Sequence, residues 1–210
     1  MSDTTDRWTR RGALAAVLAA AGCVQLPGQG PGPREFRVTP KSTFPSDLPR
    51  VAWGLSVAEP TADRTLDTNR IAVIRDGLQV EYLADASWID RAPTMVQGLI
   101  VQSFRNSGAI TTVGTDRDRL NADFLLQTAL RAFYGVAQPG QNVVRVAFAP
   151  TLVTLPTRAV VGTTAITADQ PVTELTVTAI VTAFDEALGK AMKELVLWTL
   201  RTGQTAPPVG

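Results

Sequence analysis

The sequence contains no histidine and only one cysteine among its 210 residues. Without histidine, the chain lacks the commonest general base, the commonest neutral metal ligand and the usual activator of a serine or cysteine nucleophile. A single cysteine has no partner for an internal disulfide bond. The sequence also lacks a glycine-rich phosphate-binding loop, a Gly-x-Ser-x-Gly motif and any metal-ligand spacing. These absences argue against an enzyme, and we expect neither a metal ion nor a cofactor.

An excess of one charge and a long hydrophobic run are also missing. The net charge of the chain is +1, and it falls to zero when residues 1–22 are left out. A neutral chain without a basic cluster has no electrostatic footprint for nucleic acid. The uncharged run from Gly12 to Gly22 is too short to span a bilayer as a helix. With 45% hydrophobic and 19% charged residues, the chain has the composition of a globular protein with a buried core.

The N-terminus has the order of a secretory signal peptide. Arg7, Arg10 and Arg11 precede the short uncharged run, which ends in small residues. We therefore predict that residues 1–22 are a signal peptide that is cut off directly before Cys23. The two adjacent arginines also match the start of a twin-arginine export signal. An ordinary positively charged N-terminal region explains them equally well.

The cysteine ends the stretch Ala20-Ala21-Gly22-Cys23, which resembles the bacterial lipobox. In that motif the thiol is diacylated, the peptide is cleaved before the cysteine, and the new amino terminus can be acylated too. The resemblance implies cleavage between Gly22 and Cys23 and a covalent lipid, such as palmitate, on Cys23. Alanine at position 20 departs from the usual leucine. The alternative is a buried thiol in an alanine-rich helix, because cysteine is among the most buried residue types.

The residue after the cysteine bears on the choice of membrane. In enterobacterial sorting, an aspartate at that position favours retention in the inner membrane, and this chain has Val24 there. We therefore expect a lipid-anchored protein of the cell envelope, in the outer membrane and facing the periplasm.

Two segments have the composition of flexible chain. Val24 to Pro33 contains three prolines and three glycines, so residues 23–33 are predicted to be the lipidated cysteine and a tether. Residues 203–210 are predicted to be a disordered tail. Residues 34–202 remain for a single domain.

Alternating apolar residues predict that much of this domain is β-sheet. Asp76-Gly77 lies between two alternating segments and predicts a hairpin with a tight two-residue turn. Two longer strands are predicted at residues 122–136 and 142–155, with a turn at residues 138–141 between them. Shorter strands are predicted at residues 35–39, 50–57, 109–113 and 158–172.

Two other segments have helical periodicity. In the first, Pro93 suits the first turn and Gly108 provides the stop. The second covers roughly residues 173–201 and has an apolar face opposite a charged face. The apolar face consists of Val177, Val181, Phe184, Leu188, Ala191 and Leu195, and the charged face of Glu186, Lys190, Lys193 and Glu194. The predicted fold class is α+β, with a mixed or antiparallel sheet carrying two main helices.

Charged residues form no cluster that predicts catalysis. Asp116 and Asp118 alternate with arginines in a segment typical of a solvated turn. Asp90 and Arg91 follow Trp88, and we interpret them as helix-terminus charges beside an aromatic residue of the core. A hydrolase that uses carboxylates alone would require a close, buried pair of them.

Apolar and charged residues at several positions of the domain match the sequence pattern of a known family. The matching positions are Leu66-Asp67, Arg70-Ile71, Leu78-Gln79-Val80, Trp88 and Leu99, followed by a closing stretch from Ala183 to Leu200. With these residues, the chain resembles the ABC-type transport auxiliary lipoprotein family over about residues 34–202. Most of the matched positions are assigned to the apolar core.

The resemblance implies a partner system. These lipoproteins accompany an ATPase, a permease and an MCE-domain (mammalian cell entry) protein, as in the paraquat-inducible type. Such systems move phospholipids or other hydrophobic molecules between the inner and outer membranes. The implied function is a non-catalytic accessory that binds these partners, is held to the membrane by the lipid on Cys23, and forms homo-oligomers or hetero-complexes. The alternative is an envelope assembly or scaffold lipoprotein, which helps lipopolysaccharide insertion or peptidoglycan synthesis.

Overall fold

The computed structural model describes residues 32–155 and 157–206. They form ten β-strands and two α-helices. The strands are β1 (Arg34–Phe36), β2 (Leu55–Val57), β3 (Thr61–Ala62), β4 (Arg70–Arg75), β5 (Gln79–Trp88), β6 (Val113–Thr115), β7 (Phe124–Gln138), β8 (Gln141–Thr154), β9 (Val160–Thr163) and β10 (Ile166–Pro171). The helices are α1 (Ala92–Ser107) and α2 (Val177–Gln204). Neither helix is long and apolar enough to cross a membrane.

The longest strands, β7 and β8, form an antiparallel hairpin that organises the sheet. The last pair of the ladder is Gln138 with Gln141, and Gly140 in the turn has a φ of 79°. Buried residues alternate with more exposed ones along most of both strands, so one face of the hairpin is buried and the other is partly open. The predicted pair of long strands and the turn between them are confirmed.

The other strands add to the two edges of this hairpin. β2, β3 and β4 lie one after another along β7 and run parallel to it, and β5 pairs antiparallel with β4. On the other edge, β9 and β10 both pair antiparallel with β8. β6 pairs in parallel with β2, and β1 pairs in parallel with β5. The result is an open, mixed sheet of ten strands, which confirms the predicted α+β class.

Both predicted helices are present. Pro93 lies in the first turn of α1, and Gly108 ends the helix in the left-handed conformation, with its N–H donating to the carbonyl of Arg105 at 3.2 Å. α2 begins after Thr176, whose Oγ1 accepts a hydrogen bond from the N–H of Ala179 at 3.2 Å.

An aromatic cluster joins α2 to the sheet. Trp88 at the end of β5, Phe133 of β7 and Phe184 of α2 are fully buried, and their ring centroids lie 4.9–5.2 Å apart. Such pairs contribute about 0.5–1.5 kcal/mol beyond the burial of their area. The core position predicted for Trp88 is confirmed. The four residues of the predicted charged face of α2 are exposed, whereas Val177 and Val181 at the margin of its apolar face are half-buried.

The strand predicted at residues 50–57 is reduced to the three residues of β2. The reason lies at Gly54, whose N–H donates to Oδ2 of Asp123 at 2.7 Å and whose carbonyl accepts the N–H of the same residue. These bonds to a neighbouring loop replace strand pairing. Before this point, Val51 forms an isolated bridge with Ile110. The strand predicted at residues 109–113 is also displaced towards the C-terminus, where it forms β6. There it pairs in parallel with the shortened β2.

The strand predicted at residues 158–172 is split into β9 and β10. Both pair with β8, and the break between Thr163 and Ile166 lies opposite Ala149 and Pro150. Proline has no N–H to donate to a ladder, so Pro150 interrupts the pairing of the outer strand.

Two further bounds differ from the prediction. The chain leaves the sheet after Phe36, because Thr39 is hydrogen-bonded to Asp185 of α2 instead of to a strand. α2 starts at Val177, directly after its Thr176 cap and four residues later than predicted, and it extends past Arg201 to Gln204. The first two residues of the predicted tail therefore belong to the helix, and residues 207–210 lie outside the described residues.

Candidate functional site

The predicted lipidation and cleavage site, Gly22 and Cys23, lies outside the described residues. So do the predicted signal peptide, residues 1–22, and the tether up to residue 31. Lipidation at Cys23 therefore stays a prediction, and the described domain has to be searched for other functional surfaces.

Two acidic residues of the β6–β7 connection accept hydrogen bonds within the chain. Oδ1 of Asp116 accepts a hydrogen bond from Nε2 of Gln97 at 2.9 Å, and Oδ2 of Asp118 accepts one from the N–H of Thr115 at 2.7 Å. Both aspartates are exposed. Within residues 32–155 and 157–206, no aspartate or glutamate is buried and no three potential metal ligands cluster. The pair that a carboxylate-only hydrolase requires is therefore missing from this part of the chain.

An ion-pair network connects the start of α1 with three loops. Arg91 pairs with Asp67 and, at 3.1 Å, with Glu59, which also pairs with Arg117 at 2.8 Å. The hydrogen bond to the Asp67 carboxylate raises the pKa of the Arg91 guanidinium above its ordinary value. Solvent-exposed pairs of this kind contribute little to stability. The network holds the loops in place, and its carboxylates are all engaged by arginines.

One face of the sheet is turned away from the helices. Phe133 of β7 contacts Phe184 of α2, so Val136, three residues further along the strand, points to the opposite face. On that face, the register of five neighbouring strands places five apolar residues side by side. They are Val80 of β5, Ile74 of β4, Val136 of β7, Val143 of β8 and Pro171 of β10.

We call these five residues the apolar row. Because neighbouring strands lie about 4.8 Å apart, the row is roughly 19 Å wide. Ile74, Val136 and Val143 are half-buried, whereas Val80 and Pro171 at the two ends are exposed. The row therefore forms a continuous apolar strip across the open face.

Two arginines beside the apolar row have contacts within the chain. In the next row, the guanidinium of Arg145 makes two hydrogen bonds to the carboxylate of Asp169, at 2.8 and 2.7 Å. This contact lowers the pKa of Asp169 below its ordinary value. On β4, the guanidinium of Arg70 stacks on the ring of Tyr82 at 3.8 Å from its centroid. The strip is therefore apolar, and it is bordered by one ion pair and by an arginine that stacks on a tyrosine ring.

The turn next to the row carries an exposed leucine. Asp76 and Gly77 have the positive φ values expected of a tight turn, 49° and 77°, and the N–H of Leu78 donates to the carbonyl of Arg75. The connection has three residues instead of the predicted two, because the ladder of β4 and β5 closes with Arg75 opposite Gln79. Leu78 is 93% exposed and Val80 is 43% exposed. These two matched residues are outside the core, because Leu78 lies in the turn itself and Val80 lies on the open face.

A second surface feature lies on the helices. The segment Arg37–Ser42, which we call the strap, crosses both of them after β1. Oγ1 of Thr39 donates to the carboxylate of Asp185 in α2 at 2.8 Å, and the N–H of Lys41 donates to Oγ of Ser103 in α1 at 2.9 Å. The strap is bordered by two hollows, one over each helix.

Sequence reasoning missed both the apolar row and the strap. A signal for the row exists, because Ile74, Val136 and Val143 occupy outward positions that are usually polar in a sheet with one solvated face. The alignment of the three residues depends on strand register, however, and β4 and β7 are separated by a helix and several loops. For the strap, the alternation at residues 35–39 predicted a strand, and no sequence signal indicated that the segment crosses the helices.

Comparison with known proteins adds independent information. Residues 37–196 match the family described as the ABC-type transport auxiliary lipoprotein component. An uncharacterized protein of Bradyrhizobium diazoefficiens is 28% identical over 162 residues, which are 77% of this chain and 43% of that protein. The chain therefore spans less than half the length of this relative.

Solved structures share the fold. Protein XCC0632 of Xanthomonas campestris, a DUF330 protein, is 28% identical with a TM-score of 0.76, and the match covers 81% of this chain and 97% of that one. The crystal structure of an uncharacterized protein has 9% identity and a TM-score of 0.60, with 79% and 97% coverage, and it shows the fold alone.

The family match covers most of the described domain, including β2 to β10, α1 and the aromatic cluster. This match agrees with the family resemblance that was based on the matched sequence positions. This chain belongs to the family of ABC-type transport auxiliary lipoprotein components, which are proteins of the cell envelope.

Proposed function

We propose that this protein is a non-catalytic, lipid-anchored accessory of an MCE-type ABC transporter that moves phospholipids or other hydrophobic molecules between the inner and outer membranes. Family membership supports the transport role. The lack of histidine in the sequence, and of buried carboxylates among the described residues, supports a non-catalytic role. The anchor in this proposal is the lipid on Cys23, inserted in the outer membrane with the domain in the periplasm.

The apolar row is the observation that carries the proposed docking role. A contiguous apolar strip on a soluble surface marks an interaction site more often than scattered apolar residues do. Because the strip itself carries no charge and the nearby Arg145 is paired with Asp169, it matches a partner surface that is apolar. We assign this surface to the MCE-domain protein, the periplasmic component of the system.

A free strand edge extends the same surface. β1 pairs with β5 at Ala86–Trp88, and the outer edge of β5 from Gln79 to Ala84 has no strand partner in the described part of the chain. β1 cannot extend along this edge by full pairing, since Pro33 has no N–H. A free edge accepts an extended segment by main-chain hydrogen bonds. The partner would thus contact the row by side chains and the β5 edge by its backbone.

These parts define a mechanism of attachment. The acyl chains fix one end of the protein in the membrane, and the proline- and glycine-rich tether gives the domain reach. The apolar row and the β5 edge then hold the MCE-domain protein, which connects to the permease and the ATPase. The accessory thereby keeps the periplasmic conduit close to the outer membrane.

A pull-down from detergent-solubilised membranes tests this proposal. The full-length lipidated chain should recover the MCE-domain protein, together with the permease and the ATPase. A double variant with Leu78→Asp and Val80→Asp should lose them. Val160→Asp is the matched control, because Val160 is also an exposed apolar strand residue, at 62%, and lies on β9 away from the row. The molecular mass of the purified wild-type protein in solution shows whether it forms the expected homo-oligomer.

Two results would contradict the proposal in different ways. If the wild-type chain recovers no MCE-domain protein, the transport assignment is wrong. If the double variant and the control recover it equally, the docking surface lies elsewhere. Because all three side chains are exposed, circular dichroism should show the same fold for all variants.

A further inference from the structure

Three connections lie together at one end of the sheet. Residues 76–78 join β4 to β5, residues 139–140 join β7 to β8, and residues 172–176 join β10 to α2. β4 runs parallel to the last part of β7, and the N–H of Val172 donates to the carbonyl of Asn142 at 2.8 Å, so the three connections are neighbours. We call them the turn end of the domain.

Exposed leucines concentrate at the turn end. Leu78 is 93% exposed and Leu175 is 69% exposed, and no other large apolar side chain within residues 32–155 and 157–206 is exposed as much as either. A single exposed apolar residue is normal on a protein surface. These two, however, follow β4 and β10, which lie three strands and hence roughly 14 Å apart. They form two apolar contact points at the same end.

The chain enters the domain from the side of the turn end. β1 runs parallel to β5, and β5 begins at Gln79, directly after the first of the three connections. The strand direction therefore brings the chain to Arg34 from that side. Arg34 lies opposite Ala86, which is seven residues along β5 from Gln79, or about 23 Å.

The chain before β1 is long enough to bring the predicted anchor to this end. Eleven residues, 23–33, lead from the predicted lipidated Cys23 to Arg34. An extended chain of that length spans up to about 36–40 Å, which exceeds the distance of about 23 Å from Arg34 to the turn end. A membrane that holds the lipid on Cys23 is therefore within reach of Leu78 and Leu175.

We propose that the turn end rests on the surface of the membrane that holds the lipid anchor, with Leu78 and Leu175 inserted between the lipid headgroups. This inference rests on the anchor of the proposed function, to which it adds a second contact and an orientation. Membrane affinity increases with the apolar area buried in the interface, so the leucines add to the affinity of the acyl chains. The membrane is here a docking surface and not a source of cargo.

The charges of the turn end select the kind of lipid surface. Its three connections contain Asp76 and Glu174, both exposed, and neither lysine nor arginine. The neighbouring Arg75 is paired with Glu81 at 2.9 Å. Anionic headgroups would repel this end, whereas zwitterionic headgroups have no net charge. The contact therefore depends on the leucines and fits a zwitterionic surface.

The orientation places the apolar row close to the membrane. Val136 and Val143 are each two residues from the ends of the β7–β8 ladder, or about 7 Å from its turn. Val160, in contrast, pairs with Val153, which is twelve residues along β8 from Gln141 and hence about 40 Å from the turn end. A partner on the apolar row would thus lie next to the membrane surface, and Val160 would point away from it.

Fluorescence quenching by nitroxide-labelled lipid tests the proposal. Lipidation consumes the thiol of Cys23, the only cysteine of the chain, so an introduced cysteine is the single free thiol for a fluorescent label. The full-length lipidated chain is reconstituted in phosphatidylcholine vesicles with the nitroxide lipid. The label is attached at Leu175→Cys, because Leu175 is not beside the apolar row, or at Val160→Cys as the similarly exposed control. Quenching should be several-fold stronger at position 175 than at position 160.

A second comparison leaves the leucine free to be changed. The label is attached at Thr173→Cys, an exposed position in the same connection. In that background, Leu175→Asp should reduce quenching several-fold, and Val160→Asp should leave it unchanged. Added phosphatidylglycerol should weaken quenching and salt should restore it, because Asp76 and Glu174 repel anionic headgroups at low ionic strength.

Each other outcome overturns a defined part. Equal quenching at positions 175 and 160, or quenching that Leu175→Asp does not reduce, overturns the membrane contact. Quenching that phosphatidylglycerol leaves unchanged or strengthens overturns the preference for a zwitterionic surface.

The pull-down separates this inference from the proposed function. Leu175 lies outside the apolar row, so the Leu175→Asp chain should recover the MCE-domain protein as the wild type does. Recovery by the wild type without quenching at position 175 refutes the membrane contact alone. Quenching at that position without recovery refutes the transport assignment and leaves the membrane contact standing.

Discussion

Alanine substitutions at two helical glycines should change stability in opposite directions. At Gly98 in α1, a Cβ atom would enter open space. At Gly203 in the last turn of α2, it would lie 2.5 Å from Cζ2 and 3.0 Å from Cε2 of Trp53. The indole cannot easily move away, because its other side packs against Phe124 with ring centroids 5.0 Å apart. The same chemical change thus meets two different environments.

The expected magnitudes follow from these environments. Gly98→Ala removes the helix penalty of glycine and should raise the free energy of unfolding by about 1 kcal/mol. Gly203→Ala has a similar or smaller helical gain, but it overpacks a buried contact at a cost of about 1–3 kcal/mol. The net result should be a loss of about 1–2 kcal/mol. For a protein of this size, 1 kcal/mol corresponds to about 2–4 °C in Tm.

Urea and thermal unfolding, followed by circular dichroism on both variants and the wild type, measure these changes. We expect Tm to rise for Gly98→Ala and to fall for Gly203→Ala. A lower Tm for Gly98→Ala would mean that the space over α1 at this position is filled. A higher Tm for Gly203→Ala would mean that Trp53 does not pack against α2.

Three further predictions concern the core, an ion pair and the anchor. Phe184→Ala should lower the free energy of unfolding in urea by about 3–5 kcal/mol, because it leaves a cavity between Trp88 and Phe133; a loss below about 1 kcal/mol would contradict the aromatic cluster. Since Arg145 lowers the pKa of Asp169, the carboxylate stabilises the fold above its ordinary pKa and loses this effect as the pH falls through the lowered value. Asp169→Asn should therefore cost less than about 1 kcal/mol at neutral pH, because the pair is partly exposed, and the difference should vanish in strong acid; a difference that grows in acid would refute it. Cys23→Ser should leave an unprocessed precursor without lipid labelling, and normal labelling with membrane fractionation would show that the anchor lies elsewhere.

Local sequence signals predicted the features that depend on neighbours in the chain. Pro93 and Gly108 bound α1 as expected, because a first-turn proline and a left-handed glycine act within one helical turn. Asp76-Gly77 forms its hairpin for the same reason. The burial of Trp88 follows from its size and apolar surface.

Strand bounds were harder to predict, because they depend on the partner strand. The segment after Thr163 alternates without a visible break, and the interruption arises from Pro150 on the opposite strand, which has no N–H to donate. Similarly, Gly54 is drawn out of a strand by Asp123, a residue far away in the sequence. Such hydrogen bonds are invisible in a single periodic segment.

The sequence by itself determined the α+β class, the two helices, the central hairpins and, through its matched positions, the family. It also predicted the anchor at Cys23, because that prediction depends only on local composition and on a short motif. The tertiary structure alone decided the functional surfaces of the domain. Ile74, Val136 and Val143 become one apolar row only through the register of strands that are distant in sequence, and the strap forms its two hollows only where it crosses packed helices. Side chains that carry no local signal acquire a role when the fold brings them together, because apolar contact and charge pairing act through space and not along the chain.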